Sequence, residues 1–230
     1  MVRPLLDRLR AEAIPAFRGR ALRPLVRHRE LQFPTFSADV HESMARMQDY
    51  FRYATLGLAV ERVRGEQIPG AFAELGVWRG VTSAFLHRLA PERTLYLFDT
   101  FAGFPDADLP AGARDERFRD TSEASVRARV GTSDNVVLRP GYVPDTLGGL
   151  EDERFAFVLL DLDLHGPTLA ALEFFYPRVP AGGYLVMHDY NNPESDWACK
   201  RAFDAFLADK PELVVELGDM WGSALIRRLG

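Results

Sequence analysis

Two carboxylates that each close an apolar run, Asp161 and Asp189, are the residues of this chain whose type and spacing best suit chemistry. Asp161 follows Phe155–Leu160, and Asp189 follows Gly183–Met187 by way of His188. If these runs are neighbouring strands, their ends lie about 5 Å apart. Two carboxylates at that separation repel unless a positive charge stands between them or one is protonated. A hard divalent cation such as Mg2+ or Mn2+ resolves the conflict. Its ligands would be Asp161, His188 and Asp189, with Asn191, Asn192 or Asp163 completing the shell. The alternative is a pair of ordinary strand-end acids bonded to loop amides. His188 and His165 also suit proton transfer, because an imidazole titrates near neutrality. Asp161 and His188 are therefore the candidate catalytic residues for activating a hydroxyl.

A second constellation lies earlier, at Ala73-Glu74-Leu75-Gly76-Val77-Trp78-Arg79-Gly80. It follows one apolar run and opens a helical pattern, where glycines let a backbone turn sharply and a ligand approach closely. A dinucleotide site needs G-x-G-x-x-G, whose second glycine admits the pyrophosphate. Here Trp78 occupies that position and the third glycine is missing, which disfavours an NAD-linked oxidoreductase. The remaining E-x-G-x-x-x-G suits a nucleoside ligand without phosphate, such as S-adenosylmethionine. Asp99, nineteen residues after Gly80, ends the next apolar run, where an acid can accept hydrogen bonds from ribose hydroxyls. The candidate cofactor-binding set is Glu74, Gly76, Val77, Trp78, Gly80, Asp99, Thr100, Phe101, Tyr142 and Asp161, with the adenine near Tyr142 or residues 120–122.

These residues need a scaffold that brings strand ends together. Candidate strands are Ala71–Leu75, Thr94–Phe98, Asn135–Leu138, Phe155–Leu160, Gly183–Met187, Leu213–Leu217 and Ser223–Arg227. Several are almost wholly apolar, as strands covered on both faces are. Helical patterns at Val81–Leu89, Glu123–Val130, Pro167–Tyr176 and Asp196–Asp209 alternate with them, which predicts a doubly wound, mostly parallel α/β sheet. Only residues 218–222 separate the last two strands, too few for a parallel crossover, so they form an antiparallel hairpin at the sheet edge. The total is seven strands. Residues 36–64 read as helix, with Met44, Met47, Phe51, Ala54 and Leu58 forming one apolar stripe fit for a core or a homo-oligomer face. The predicted organisation is a basic arm at 1–35 and one domain at 36–230, its helical cover at 36–64 and its α/β core at 70–230.

Composition narrows the function. The chain has 230 residues, 47% hydrophobic, with a net charge of −5. That balance argues against a general nucleic-acid partner, although residues 1–30 hold eight arginines against three acids. No apolar run reaches the ~18 residues of a membrane span. Prolines and arginines interrupt the N-terminus where a secretory core would lie. One cysteine, Cys199, permits no internal disulfide and agrees with a cytoplasmic setting.

In sequence order, Glu74–Gly80, then 99–105 (DTFAGFP), 161–164 (DLDL), Tyr176-Pro177, 180–183 (PAGG) and 188–190 (HDY) resemble the macrocin-type (TylF-like) sugar O-methyltransferases from about residue 40 to 210. The resemblance implies a class I, Rossmann-like methyltransferase of natural-product biosynthesis, using S-adenosylmethionine and a divalent metal on a sugar hydroxyl. It implies that Glu74, Gly76 and Asp99 line the cofactor pocket and that the acids after strands four and five, as neighbours, bind metal. Two departures stand out. The family usually has two adjacent acids where this chain has His188-Asp189, and an aromatic where it has His165. Losing a carboxylate weakens a Mg2+ site, whereas imidazole suits Mn2+, Fe2+ or Zn2+. Either the metal differs or the site works without one. A catechol or amine acceptor and a non-catalytic nucleoside-binding domain are the remaining alternatives.

Overall fold

Seven short strands share one sheet. They are β1 (Ala71–Leu75), β2 (Leu95–Asp99), β3 (Val136–Pro140), β4 (Phe155–Leu160), β5 (Tyr184–Met187), β6 (Val215–Glu216) and β7 (Ala224–Arg227). In this computed structural model, which describes residues 33–105 and 115–230, their order is β3-β2-β1-β4-β5-β7-β6. The first five strands are parallel. β7 pairs antiparallel with both β5 and β6, so the predicted hairpin closes the sheet. β6 is shorter than the run at 213–217 because it is an edge strand, held only by β7.

The helices are α1 (Ala38–Ala45), α2 (Tyr50–Gly65), α3 (Val81–Leu89), α4 (Glu123–Val130), α5 (His165–Phe175) and α6 (Ala198–Leu207). The chain forms two units, one ending at His41 and the other spanning 42–230. Within the first, the Phe33 amide donates to His41 Nε2 at 3.0 Å. The predicted basic arm lies outside the described residues apart from 33–35.

Side chains alternate across the sheet. Ala73 and Leu75 of β1 join Val158, Leu160, Leu185 and Met187 in a core with Leu172 and Phe175 of α5 and Phe203 of α6. Glu74 points to the opposite face, where α3 lies and its Ser83 meets the carboxyl. Helices thus cover both faces, and the six buried residues of β4 run apolar without alternation. The chain steps outward from β1 to β2 and β3, then restarts at β4 beside β1. That reversal opens a crevice at the carboxyl ends of β1 and β4, where open α/β sheets bind ligands. Among the described residues no helix is long and apolar enough to cross a membrane.

The stretch 36–64 is two helices rather than one. Asp49 starts α2 by accepting the Arg52 amide on its side chain at 3.2 Å, which satisfies an orphan donor and favours a fresh helix start. The restart shifts the helical phase. Met44 and Ala54 are buried, but Phe51 is 63% and Leu58 44% exposed, so the predicted residues do not form one continuous buried stripe. The buried face of α2 instead carries Arg52, Tyr53, Leu56, Ala59, Val60 and Val63.

Candidate active site

The turn after β1 is built by a close main-chain contact. Gly76 has φ +86°, and a Cβ there would lie 1.8 Å from the Asp161 carbonyl oxygen. No other residue fits without parting β1 from β4. Around this point the Gly76 amide donates to the Phe98 carbonyl and the Asp161 amide to the Leu75 carbonyl. Three strand ends are thereby locked together.

Asp99 ties the same turn to β2. The amides of Val77 and Trp78 both donate to its Oδ2 at 2.7 Å, and the Phe101 amide donates to Oδ1 at 2.7 Å. A carboxylate has roughly four acceptor positions, so about one remains for a ribose hydroxyl. Trp78 has a left-handed backbone, φ +48°, and its indole N–H donates to Asp120 Oδ1 at 2.7 Å. The Arg79 guanidinium stacks over the indole at 4.5 Å and pairs with Asp120.

Glu74 is 1% exposed and accepts a hydrogen bond from the Ser83 hydroxyl. Burial, reinforced by Asp161, pushes its carboxyl up to about 8, against the pull of Ser83 and Arg52. A carboxyl whose folded value lies above its unfolded one contributes stability that fades as pH rises from about 4.5 to about 8. Glu74→Gln keeps the shape and a polar contact with Ser83 but cannot ionise. The variant is expected to lose less unfolding temperature than the native chain between pH 6 and pH 8.5. Melting curves across that range check this; parallel declines would contradict a neutral Glu74.

At the ends of β4 and β5, parallel pairing of Leu160 with Met187 sets Asp161 beside His188. His188 Nδ1 lies 2.8 Å from Asp161 Oδ1 and 2.7 Å from Asp189 Oδ2. Arg52 Nη2, reaching over from α2, donates to Asp161 Oδ2 at 3.0 Å. Asn192 Nδ2 donates to Asp189 Oδ1 at 2.9 Å. Burial opposes charge on both His188 and Asp161, but mutual attraction outweighs it. His188 is held up at about 9, while Asp161 stays below the usual carboxylate range with help from Arg52. Asp163 differs. Among the described residues no donor reaches its carboxyl, and burial followed by repulsion from Asp189 and Asp161 pushes it up to about 8.

One cavity of about 670 Å3 brings the two constellations together. Of the predicted residues, Glu74, Gly76, Val77, Trp78, Asp99, Thr100, Tyr142, Asp161, His188 and Asp189 line it, as do Asp163 and Asn192. Gly80 and Phe101 are not on its wall. Gly80 caps α3 at φ +71°, and Phe101 contributes its amide to Asp99. Asn191 also lies off the wall, its amide side chain bonded to Glu216. His165 is exposed at the start of α5 and is not on the cavity wall, although Leu164 and Pro167 beside it are. The wall adds Arg52, Tyr53, Thr82 and Trp221, none of them foreseen. Arg52 had one usable signal: Asp49 as a helix cap fixes the phase that turns Arg52 inward.

A family model described as macrocin O-methyltransferase (TylF) matches residues 27–218. The chain belongs to that family. It is 33% identical over 156 residues to the 8-demethyl-8-(2,3-dimethoxy-alpha-L-rhamnosyl)-tetracenomycin-C 4'-O-methyltransferase of Streptomyces olivaceus, with 60% of each chain covered. It therefore spans about 60% of that relative's length. Identity to the mycinamicin III 3''-O-methyltransferase of Micromonospora griseorubida is 30% over 197 residues, covering 73% of this chain and 76% of that one. Among solved structures, the O-methyltransferase NovP superposes with a TM-score of 0.67 at 26% identity, covering 79% of this chain and 81% of that one.

The resemblance to macrocin-type enzymes implies a divalent cation on the acids after β4 and β5. In this member, candidate ligand atoms of Asp161, His188 and Asp189 lie within 4.8 Å of one another, close enough by distance alone. Three N–H groups, however, already serve the four carboxylate oxygens: Arg52 and Asn192 take one each, and the single Nδ1–H of His188 is shared by Asp161 Oδ1 and Asp189 Oδ2. As arranged, these residues do not fit a hard cation that needs those oxygens.

Proposed function

We propose that the chain transfers the methyl group of S-adenosylmethionine to a hydroxyl of a sugar or a glycosylated small molecule. The reading rests on one observation: the turn at Glu74–Trp78 and the charged cluster at Asp161–Asp189 face a single cavity. Family membership and the sugar-modifying relatives support it.

The bound cofactor supplies an electrophilic methyl carried on a sulfonium. Gly76 and Val77 form the floor on which it rests, and Asp99 offers its remaining acceptor position to the ribose. Trp78, its indole bonded to Asp120, leaves the turn accessible to the cofactor. The acceptor hydroxyl lies over the ends of β4 and β5. Arg52, His188, Asp161 and Asp189 form a fixed polar frame that orients it, and holding reactants in line supplies much of the acceleration. As the acceptor oxygen takes the methyl group, its proton passes to Asp163. That side chain lines the cavity without a protein donor; burial and its acidic neighbours push it up to about 8, and it is the carboxylate form that accepts the proton.

Purified protein, S-adenosylmethionine and a panel of deoxysugar glycosides, catechols and amines test the assignment. A glycoside that gains one methyl group, with S-adenosylhomocysteine formed in equal amount, is the expected result. Transfer confined to catechols or amines would contradict the sugar assignment.

A further inference from the structure

We infer that this chain balances its strand-end carboxylates with Arg52 and the N–H of His188 instead of a divalent cation, and that Arg52 positions the acceptor site through Asp161. The inference rests on the methyl-transfer reading for its catalytic half only. Its cation half stands on the geometry of the cluster.

The two acids present four oxygen atoms, and each is met by a nitrogen donor of the protein. His188 Nδ1 lies between Asp161 Oδ1 and Asp189 Oδ2, 2.8 Å and 2.7 Å away, a placement it can hold only as an N–H. Its ring thus occupies the gap where a shared cation would lie. The outer oxygens go to Arg52 and Asn192, at 3.0 Å and 2.9 Å. Mg2+ demands near-octahedral oxygen ligands at about 2.1 Å. Admitting it means driving the imidazole off both acids.

Arg52 raises a second barrier. Its side chain is only 10% exposed, and a guanidinium does not shed its proton in a protein. A dication on Asp161 would share that carboxylate with a permanent positive charge that cannot swing into solvent. Arg52 is also held from behind: Asp49 accepts its amide on Oδ1 and, on Oδ2, the Met220 amide of the loop between β6 and β7 at 2.8 Å. Helix, hairpin loop and carboxylate are fixed as one assembly. A fixed cation on Asp161 can stabilise developing charge without the reorganisation that water would need.

The experiment uses the full chain dialysed against EDTA, with MgCl2, MnCl2 and ZnCl2 titrated separately by calorimetry, and S-adenosylhomocysteine titrated in a parallel sample. The native protein is expected to give no saturable heat with any of the three salts and to change turnover less than twofold with chelator. His188→Asp, which recreates two adjacent acids, is expected to gain Mn2+ binding. Stoichiometric cation binding by the native chain, or activity removed by EDTA and restored by a metal, overturns the cation half, whatever His188→Asp does. For the positioning half, Arg52→Gln is expected to lower turnover about 100-fold, and Arg52→Lys to recover most of it without a change in S-adenosylhomocysteine affinity. Equal loss in both variants overturns the role of charge. A native protein that ignores S-adenosylhomocysteine defeats the methyl-transfer reading but leaves the cation result readable.

Discussion

An Asp161→Asn variant is expected to lose methyl transfer by about 10³-fold while still binding S-adenosylhomocysteine. The carboxylate takes an N–H from His188 on one oxygen and from Arg52 on the other. An asparagine can accept on one side only. Its amide must then turn two hydrogens toward a donor, and the frame beneath the acceptor opens. Breaking a buried ion pair by removing one partner typically costs about 3–5 kcal/mol, so a lower unfolding temperature accompanies the loss. Cofactor binding survives because the contacts Asp161 makes with the cofactor turn are main-chain. Its carbonyl lies against Gly76 and its amide donates to Leu75. Turnover and calorimetry on the same preparation separate the two effects. Normal turnover would show that the strand-end cluster does not serve the reaction.

Gly76→Ala should act in the opposite sense, removing the fold's support for the cofactor before any chemistry is reached. The added methyl would lie 1.8 Å from a backbone oxygen that belongs to the neighbouring strand. No rotamer change relieves such a contact. The left-handed φ of +86° adds about 1–2 kcal/mol for any residue with a Cβ. Together the expected loss is about 4 kcal/mol, which for a chain of this size lowers the unfolding temperature by about 10 °C. Gly65→Ala is the matched control. Its Cβ meets nothing within 4 Å and it is the last residue of α2, so it should be neutral or slightly stabilising. Equal melting temperatures for Gly76→Ala and the native chain would mean that β1 and β4 do not approach as described.

What was legible in the sequence was whatever depends on neighbours along the chain. The apolar runs marked β1, β4 and β5 closely, because strands buried on both faces carry no polar alternation to blur them. The short connection at 218–222 forced the antiparallel closure. Gly76 was legible as a turn glycine, which its φ of +86° bears out, but the close approach it permits is first to the Asp161 carbonyl. The α1–α2 break was missed because Met44, Met47, Phe51, Ala54 and Leu58 keep helical spacing across it, whereas the side chain of Asp49 decides where the helix begins. Arg52 was hidden with it, since an arginine on a helix is ordinarily solvated and only its distant partner Asp161 explains its burial. Asp99 was legible as a site residue, but its three main-chain donors come from turns whose shape no spacing reveals.

The claim on which the rest depends is that the pocket formed by the β1 turn and Asp99 holds an adenosyl sulfonium. Isothermal titration of the purified chain with S-adenosylmethionine, its demethylated product and NAD measures this directly. Saturable one-to-one binding of the first two, with no heat from NAD, is the predicted result. Saturation by the dinucleotide and silence from both adenosyl compounds would contradict it.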